Sequence, residues 1–399
     1  MDRHLTRAGR FVRQPAGYLA FYPAPLPPEP PVDIDGTMAT LLSTADQAIG
    51  RLDGVSQTLP NADLFVAMYV RREAVLSSQI EGTQSTLDDV LAFELGAAFE
   101  GLPQDVEEVV NYVRAMNSGI RRLAELPLSR RLIREIHAEL MRGVRGAERQ
   151  PGEFRRTQNY IAPAGTPISR ATFVPPPPGE MERALDDFER FLHDDGGLPA
   201  LIRCGIAHAQ FETIHPFLDG NGRVGRLLIT FLLCERAVLH KPLLYLSYFF
   251  KQHRTEYYER LTSIREAGDW EGWLKFFLRG VAQTAAEATA TAGRIVQMRE
   301  EHRALTRSRG LSVHAARLID QHLFERPLVT ARLVSGLLGV SFATANRIVT
   351  ELTSLDILEE ITGGQRSRVF RYTPYLALFE DPEPRADPQP PIRPAGRLS

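Results

Sequence analysis

The feature that most constrains the fold of this sequence is a short polar run between two strongly apolar segments. The run covers residues 215–226 (HPFLDGNGRVGR), and residues 201–213 before it are predicted to form one helix. After it, residues 224–232 place apolar side chains at helical spacing, which predicts a second buried helix. Gly220 and Gly222 allow the backbone between the two helices to fold tightly and to approach a ligand closely. We therefore expect a mainly helical chain with a tight loop between two buried helices.

The polar run also contains the groups that a phosphate-transfer site requires. A glycine loop and the first amides of a helix bind anions, and Arg223 and Arg226 add cations suited to phosphate oxygens. Asp219 supplies a carboxylate for a hard cation such as Mg²⁺, and His215 is a general base suited to neutral pH. Each of these residues alone is more often structural, but their combination in one short run predicts a phosphate-transfer site.

The composition is that of a soluble globular protein with two or three domains, since the 399 residues are 43% hydrophobic and 24% charged. A net charge of -2 argues against nucleic acid as the main partner. The basic N-terminus is not followed by an apolar stretch, and the most apolar segment, residues 227–233, is too short to cross a bilayer. We expect a cytoplasmic protein with no membrane partner, in which Cys204 and Cys234 are buried thiols.

A helix with a marked start and end is predicted upstream of the polar run. Asn61 is a candidate N-cap, and Gly82 is placed to end the helix. Apolar residues recur on one helical face at Phe65, Tyr69, Leu76 and Ile80.

Two other segments predict β-structure. Residues 159–161 and 172–174 are β-prone and are linked by a turn-rich segment, which predicts a two-stranded hairpin. Residues 311–373 follow the order of a winged helix, namely a helix, a helix–turn–helix and a hairpin. After the first helix, the segments of this module are residues 330–338, 342–355, 358–362 and 369–372.

The polar run matches the pattern HPFx(D/E)GNGRxxR at every specified position, and on this motif the chain resembles the Fic family. Residues 60–86, 151–161 and 174–178 are also similar to family segments, so the resemblance covers roughly residues 15–300. It implies a Fic helical-bundle fold with a β-hairpin flap around residues 159–175, followed by a winged-helix domain. The implied parts are an N-terminal region with an inhibitory helix (1–104), a catalytic domain (105–300), a winged helix–turn–helix domain (301–375) and a disordered tail (380–399).

The resemblance implies that the chain transfers AMP from ATP to a Ser, Thr or Tyr hydroxyl of a protein and releases pyrophosphate. His215 would take the proton from the hydroxyl, and Asp219 would hold Mg²⁺ against the phosphates. Tyr257 would line the adenine pocket, and the edge of the flap would pair with an extended target segment. The residues that would bind the nucleotide's phosphates are Gly220, Asn221, Gly222, Arg223, Gly225 and Arg226.

Residues 77–82 (SSQIEG) match the family's inhibitory pattern (S/T)xxxE(G/N). Glu81 lies near the C-terminal end of its helix, where the helix dipole disfavours an anion unless a cation is close. Arg226 is the candidate cation, and a Glu81–Arg226 pair would occupy the guanidinium that the γ-phosphate needs. Ser77 lies one turn earlier on the same face and could hydrogen-bond the glutamate. The resemblance therefore implies an internal brake formed by Ser77, Glu81 and Gly82.

Two other functions stay open at this stage. The same fold also removes AMP from proteins in some relatives, with the glutamate helping to activate water. Alternatively, the winged helix binds DNA or docks a protein, with recognition residues Thr344, Asn346, Arg347 and Thr350 and wing residues Arg366, Arg368 and Arg371. The acidic residues Asp356, Glu359 and Glu360 argue against a strongly basic face. Self-modification and a homodimer are family-level expectations, and the sequence does not identify the target.

Overall fold

The computed structural model describes residues 5–58, 62–96, 102–143, 150–194, 196–363 and 368–380. The predicted N-cap Asn61, the wing residue Arg366 and residues 381–399 of the predicted tail lie outside the described residues.

The described chain is mainly helical, which confirms the predicted fold class. Up to residue 308 the α-helices are α1 (Gly36–Thr58), α2 (Ala62–Ile80), α3 (Leu87–Leu95), α4 (Val106–Leu123), α5 (Arg130–Leu140), α6 (Pro178–His193), α7 (Ala200–Ile214), α8 (Asn221–Glu235), α9 (Ser247–Gln252), α10 (Arg254–Ala267) and α11 (Trp270–Ser308). After residue 308 the α-helices are α12 (Val313–Leu318), α13 (Ala331–Leu338), α14 (Phe342–Thr353) and α15 (Thr373–Leu376). The strands are β1 (Gly9–Arg13), β2 (Leu19–Pro23), β3 (Leu328–Thr330), β4 (Glu359–Glu360) and β5 (Val369–Arg371).

Helices α7 and α8 form the centre of the bundle, as the two apolar segments predict. Every residue of α7 from Leu201 to Ile214 is buried, because α6, α8, α10 and α11 pack around it. Helix α8 packs against α7 on one side and against α4 and α5 on another. The chain turns between the two helices through His215 and Gly220, which both adopt left-handed backbone conformations with φ of 49° and 75°. The polar run is therefore held at one end of a buried helix pair.

Helix α2 ends where the sequence predicts. Its apolar face is buried, and Gly82 has a φ of 104°, a conformation that favours glycine and stops the helix. Helix α3 follows and was not predicted, although Thr86 and Asp89 form a capping box at its start. A threonine followed three residues later by an acid, before an apolar run, was the available signal for this helix.

The predicted flap hairpin is present as a single antiparallel bridge. Ile161 N donates to Phe173 O at 2.8 Å, and Phe173 N donates to Ile161 O at 3.2 Å. The bridge is not extended into a longer ladder, and the prolines that flank it, Pro163 and Pro175, lack amide donors. Strands β1 and β2 pair with each other and were not predicted from the sequence. They lie beside this segment, since Phe21 N of β2 donates to Val174 O at 2.9 Å.

The C-terminal module has the order expected of a winged helix. Its sheet has the order β3-β5-β4, and the predicted hairpin strands are shortened to β4 and β5. Helix α11 runs without a break across residue 300, where the sequence places a domain boundary, and leads into this module. The module packs against α2 and α3: the Phe379 ring lies edge-on to Tyr69 of α2 at 5.3 Å, and Arg371 Nε lies 3.4 Å from Asp88 Oδ1 of α3.

Within the described residues Cys204 is a buried free thiol, whereas Cys234 is free and partly buried. Among the same residues no single helix is long and apolar enough to span a membrane. Helices α13 and α14, which meet at a bend of 112°, have together the length and apolar composition of a span.

Substitution of Gly119 on α4 is expected to loosen the central helix packing. A Cβ at this position would lie 2.3 Å from the ring of Phe231 on α8, so Gly119→Ala should lower the free energy of unfolding by about 1–3 kcal/mol. Gly293→Ala on α11 is the matched control, because nothing lies within 4 Å and alanine favours helix by up to about 1 kcal/mol. Urea unfolding followed by circular dichroism checks both. Equal stability of the two variants would contradict the close packing of α4 on α8.

Candidate active site

The loop between α7 and α8 is folded by the side chain of Asn221. Its Oδ1 accepts from Phe217 N at 2.8 Å, and its Nδ2 donates to Phe217 O at 2.8 Å. Asn221 is 2% exposed, and its amide is fully engaged within the loop. The residue predicted to contact the nucleotide directly thus shapes the loop. No side chain among the described residues caps the start of α8, so the first amides of this helix can face an anion.

His137 of α5 supports the loop from below, a role that the sequence did not indicate. Its ring stacks on Phe217 at 3.7 Å, and Nε2 lies 3.1 Å from Asp219 O. Gly152 N donates to Nδ1 at 2.8 Å. Burial lowers the pKa of His137 to about 4, so the ring is neutral, accepts from Gly152 and donates to Asp219.

Arg155 joins the base of the flap to the loop. Its side chain is 1% exposed and donates from Nε to His215 O at 3.0 Å and from Nη2 to Pro176 O at 2.6 Å. Its backbone N donates to Pro216 O at 2.9 Å, and Asn159 Nδ2 donates to Phe217 O at 2.8 Å. A buried guanidinium whose donors meet carbonyls fixes these segments against each other. Arg155 lies in a family-like segment but was given no role at the sequence level.

His215 combines a strained backbone with a neutral side chain. It caps α7 in the left-handed conformation, and its Nδ1 is buried with no hydrogen-bond partner among the described residues. Burial, helped by the charge of Arg155, lowers the pKa of His215 to about 4. The imidazole is therefore neutral near pH 7 and has a lone pair available to accept a proton. Because Nδ1 is buried, Nε2 is the nitrogen that can meet a substrate.

The predicted pair between Glu81 and Arg226 is formed. Arg226 Nη2 donates to Glu81 Oε1 at 2.7 Å, and the Arg226 side chain is 2% exposed against 38% for that of Glu81. Burial alone would raise the pKa of Glu81, but the Arg226 guanidinium holds it below its ordinary value. Ser77 does not bond Glu81 as predicted. The guanidinium lies between them and donates from Nε to Ser77 Oγ at 2.8 Å and from Nη2 to Ser77 O at 2.9 Å.

The carboxylate of Glu81 lies against the first turn of α8. A Cβ on Gly222 would come within 2.2 Å of Glu81 Oε1, so glycine leaves room for the carboxylate where it lies, and a larger residue would require it to move. The glutamate therefore occupies the region where the amides of a helix N-terminus attract anions. Gly222 therefore permits the close approach of another group. The sequence predicted that this group is a ligand, and in this structure it is the Glu81 carboxylate.

Gly225 is explained by packing. A Cβ on Gly225 would lie 2.4 Å from Oε1 of Glu212, a buried oxygen with no hydrogen-bond partner in the described part of the chain. Burial raises the pKa of Glu212 to about 7. Gly225 was predicted to bind nucleotide, whereas its position between α7 and α8 makes it a residue of close helix contact. Glu212 was not singled out from the sequence.

Arg223 and Asp219 lie together on the other side of the loop. Arg223 is 4% exposed and donates from Nη1 to Glu108 Oε2 of α4 at 3.0 Å, while Nη2 lies 3.8 Å from Asp219 Oδ1. The Asp219 side chain is 39% exposed, and its Oδ1 accepts from Gly220 N at 2.6 Å. The described residues contain no group of three or more metal-ligating side chains. One exposed carboxylate fits Mg²⁺, which binds few protein ligands and completes its shell with substrate phosphates and water.

The aromatic pair on α10 is arranged differently from the prediction. Tyr257 is 1% exposed, its ring stacks on Phe250 at 4.5 Å, and its hydroxyl lies 2.9 Å from His208 Nε2. Its ring therefore has no exposed face for a base. Tyr258 is 40% exposed, and the charges of Glu81 and Arg226 act on its hydroxyl, which places it at the edge of the site. Helical periodicity alone did not distinguish the buried tyrosine from the exposed one.

The charges predicted for DNA contact are largely engaged within the protein. Arg368 Nη2 donates to Asn346 Oδ1 at 2.9 Å, and Arg347 Nε lies 3.6 Å from Glu351 Oε1. Arg371 is held by acidic residues, including Asp88 of α3. Phosphate contacts need free cations, so these pairs weaken the electrostatic case for duplex DNA on this face.

Comparison with known proteins gives matches along most of the catalytic region. The model of the Fic/DOC family N-terminal matches residues 39–121, and that of the Fic/DOC family matches residues 127–233. A relative from Drosophila grimshawi named Protein adenylyltransferase Fic is 32% identical over 154 residues, or 38% of this chain and 28% of that protein. Its namesake from Culex quinquefasciatus is 35% identical over 144 residues, or 36% of this chain and 25% of that protein. The chain thus spans under a third of the length of these curated relatives.

Two solved structures share the fold. A Fic family protein from Desulfovibrio desulfuricans G20 superposes with a TM-score of 0.56 at 20% identity, over 86% of this chain and 97% of that chain. A Fic domain containing signaling protein from Bacteroides thetaiotaomicron VPI-5482 gives a TM-score of 0.50 at 18% identity, over 67% and 98%.

The imidazole of His215 is expected to stay neutral throughout the physiological pH range. Since burial and Arg155 lower its pKa to about 4, its ring resonances should not titrate between about pH 5.5 and 8, whereas an ordinary histidine titrates near about 6.5. Carbon-detected NMR of ring-labelled histidine, assigned with the His215→Ala variant, measures this. A midpoint between pH 6 and 7 for this resonance would contradict the burial argument.

Proposed function

Because the chain belongs to the Fic/DOC family, we propose that it is a protein adenylyltransferase, which transfers AMP from ATP to a Ser, Thr or Tyr hydroxyl of a protein. The observation that carries the proposal is the placement of a neutral His215 at the entrance of a loop whose amides and arginines suit phosphates. The names of the curated relatives, Protein adenylyltransferase Fic, support the same reaction.

In the proposed reaction His215 acts as the general base. Its Nε2 takes the proton from the target hydroxyl as the oxygen attacks the α-phosphorus of ATP. A new bond forms between this oxygen and the α-phosphorus, and the bond from the α-phosphorus to the bridging oxygen breaks. Pyrophosphate leaves with that electron pair. The low pKa of His215 in the free protein keeps the base unprotonated before the nucleotide arrives, and the phosphate charges then favour the imidazolium that forms.

The loop residues position and neutralise the phosphates. The first amides of α8 and the side chains of Arg223 and Arg226 face the region where the phosphate oxygens would lie. Asp219 would hold Mg²⁺ beside them, and the cation supplies additional charge neutralisation when it is bound. Tyr258 offers an exposed ring for the base, in place of the buried Tyr257.

A protein substrate would be positioned by the flap. Tyr160 and Ile161 are 42% and 40% exposed beside the bridge between Ile161 and Phe173, so backbone groups and apolar side chains are available to an extended segment. Pairing of this kind places a hydroxyl through main-chain bonds and demands little of the target sequence. The chain's own hydroxyl groups are substrates under the same scheme.

The proposal includes an internal brake. Arg226 donates from Nε and Nη2 to Ser77 and from Nη2 to Glu81, so a γ-phosphate would have to replace Glu81 as an acceptor for Nη2. The carboxylate also lies against Gly222, where it would repel a phosphate at the start of α8. ATP therefore binds weakly or in an unproductive position until Glu81 moves away.

Replacement of the base tests the reaction itself. His215→Ala should reduce AMP transfer by at least about 100-fold, the range expected for loss of a positioned general base. Labelled ATP with cell lysate, followed by intact-mass analysis of the modified proteins, distinguishes AMP from phosphate or phosphocholine adducts. His137→Gln is a useful comparison, because it perturbs the loop without removing the base. Transfer that continues unchanged in His215→Ala would refute the assignment.

Removal of the brake should increase activity. Glu81→Gly is expected to raise AMP transfer by about tenfold or more, since each ~1.4 kcal/mol that favours the inhibited arrangement is a factor of ten. Glu81→Gln, which keeps the size and loses the charge, should lie between this variant and the wild type. Rates are measured over a range of labelled ATP concentrations, so that weak binding and unproductive binding of ATP are both detected. Equal or lower activity of Glu81→Gly, with an unchanged thermal unfolding midpoint, would refute the brake.

A further inference from the structure

Each arginine of the polar run faces a glutamate from an upstream helix, but the two pairs differ in geometry. The Glu81 side chain is 38% exposed and lies over the first turn of α8, against Gly222. The Glu108 side chain is 15% exposed and reaches Arg223 from the first turn of α4. The first carboxylate occupies the anion site, whereas the second lies behind the arginine that would serve that site.

The contacts of Arg223 leave Nη2 as the part of its guanidinium that can contact a ligand. Nη1 is taken by Glu108 Oε2 at 3.0 Å, and the buried Nε has no hydrogen-bond partner among the described residues. Nη2 lies 3.7 Å from Met141 Sδ and 3.8 Å from Asp219 Oδ1. The Nη2 edge is thus the part of the guanidinium nearest the exposed carboxylate of the loop.

The helix that carries Glu108 is itself tied to the same wall of the site. Asn111, one turn further along α4, donates from Nδ2 to Arg142 O at 2.7 Å, next to Met141. Glu108 also lies in the first turn of α4, where the helix dipole stabilises a carboxylate. The acceptor for Nη1 is therefore fixed before any ligand binds, which reduces the freedom of a side chain that has many rotamers in water.

We propose that Glu108 is a positioning residue for the reaction: it holds Nη1 of Arg223 so that Nη2 is directed at the phosphates of ATP. This rests on the proposed function for the identity of the ligand. Glu108 contributes to turnover through Arg223, and it does not compete with the nucleotide as Glu81 does. The two glutamates thus have opposite effects on the same loop.

The test uses the full-length chain in the Glu81→Gly background, where transfer is fastest. Glu108→Gln keeps a hydrogen-bond acceptor and removes the charge, so it should lower kcat by about tenfold and weaken binding of ATP by about threefold. Binding is measured by calorimetry with ATP whose α,β-bridging oxygen is replaced by methylene, which cannot be transferred. Glu107→Gln is the matched control, since this neighbour in the same turn of α4 is exposed.

A double-substitution cycle separates positioning from simple stabilisation. In an Arg223→Lys background, Glu108→Gln should change kcat and binding by less than about twofold, because a residue acting through Arg223 has nothing left to position. A loss of the same size in both backgrounds, higher activity of Glu108→Gln, or no change at all would overturn the proposal. If the Glu81→Gly parent transfers no AMP, the proposed function fails, and calorimetry with the same variants still decides the role of Glu108.

Discussion

The structure depends on the two hydrogen bonds between the Asn221 amide and the backbone of Phe217. They close the turn between α7 and α8, two helices that are buried almost completely. By satisfying backbone groups of the turn, they allow a polar segment to lie at the end of this buried helix pair. Arg155 and Asn159 donate to the carbonyls of residues 214–217, while His137 supports the other end of the turn. No side chain in the described part of the protein caps the start of α8, and this is the electrostatic property on which an anion site rests.

The charges around the loop follow a simple division. Burial keeps the imidazoles of His137 and His215 neutral, because it lowers the pKa of each to about 4. The positive charge is concentrated on Arg223 and Arg226, which are almost fully buried. Buried guanidinium groups need acceptors, and Glu81, which follows α2, and Glu108 of α4 provide them. Under the two proposals, the side from which a carboxylate approaches the guanidinium decides whether it competes with the nucleotide or supports the arginine.

The sequence predicted the parts of the site that are close together in the chain, because residues 215–226 carry their chemistry on one short turn. The Glu81–Arg226 pair was predicted from the match of residues 77–82 to the family's inhibitory pattern, and an acid near a helix C-terminus also favours a nearby cation. The sequence could not place His137, Arg155 or Glu108, whose roles depend on how distant helices pack. It misplaced the exposed aromatic by one residue, because Tyr257 and Tyr258 differ only in the face of α10 that meets the core. The predicted flap strands are longer than the observed bridge between Ile161 and Phe173, since β-propensity does not account for the flanking prolines, which lack amide donors.

Helix α2 belongs to two packed interiors at once. One face carries Ser77 toward Arg226, and another carries Tyr69 against Phe379 of the C-terminal module. Because both contacts lie on one helix, a displacement of α2 at the Tyr69 contact would also displace Ser77. Under the proposed function, packing of the C-terminal module against α2 and nucleotide binding at Arg226 would be thermodynamically linked, each changing the free energy of the other by the same amount.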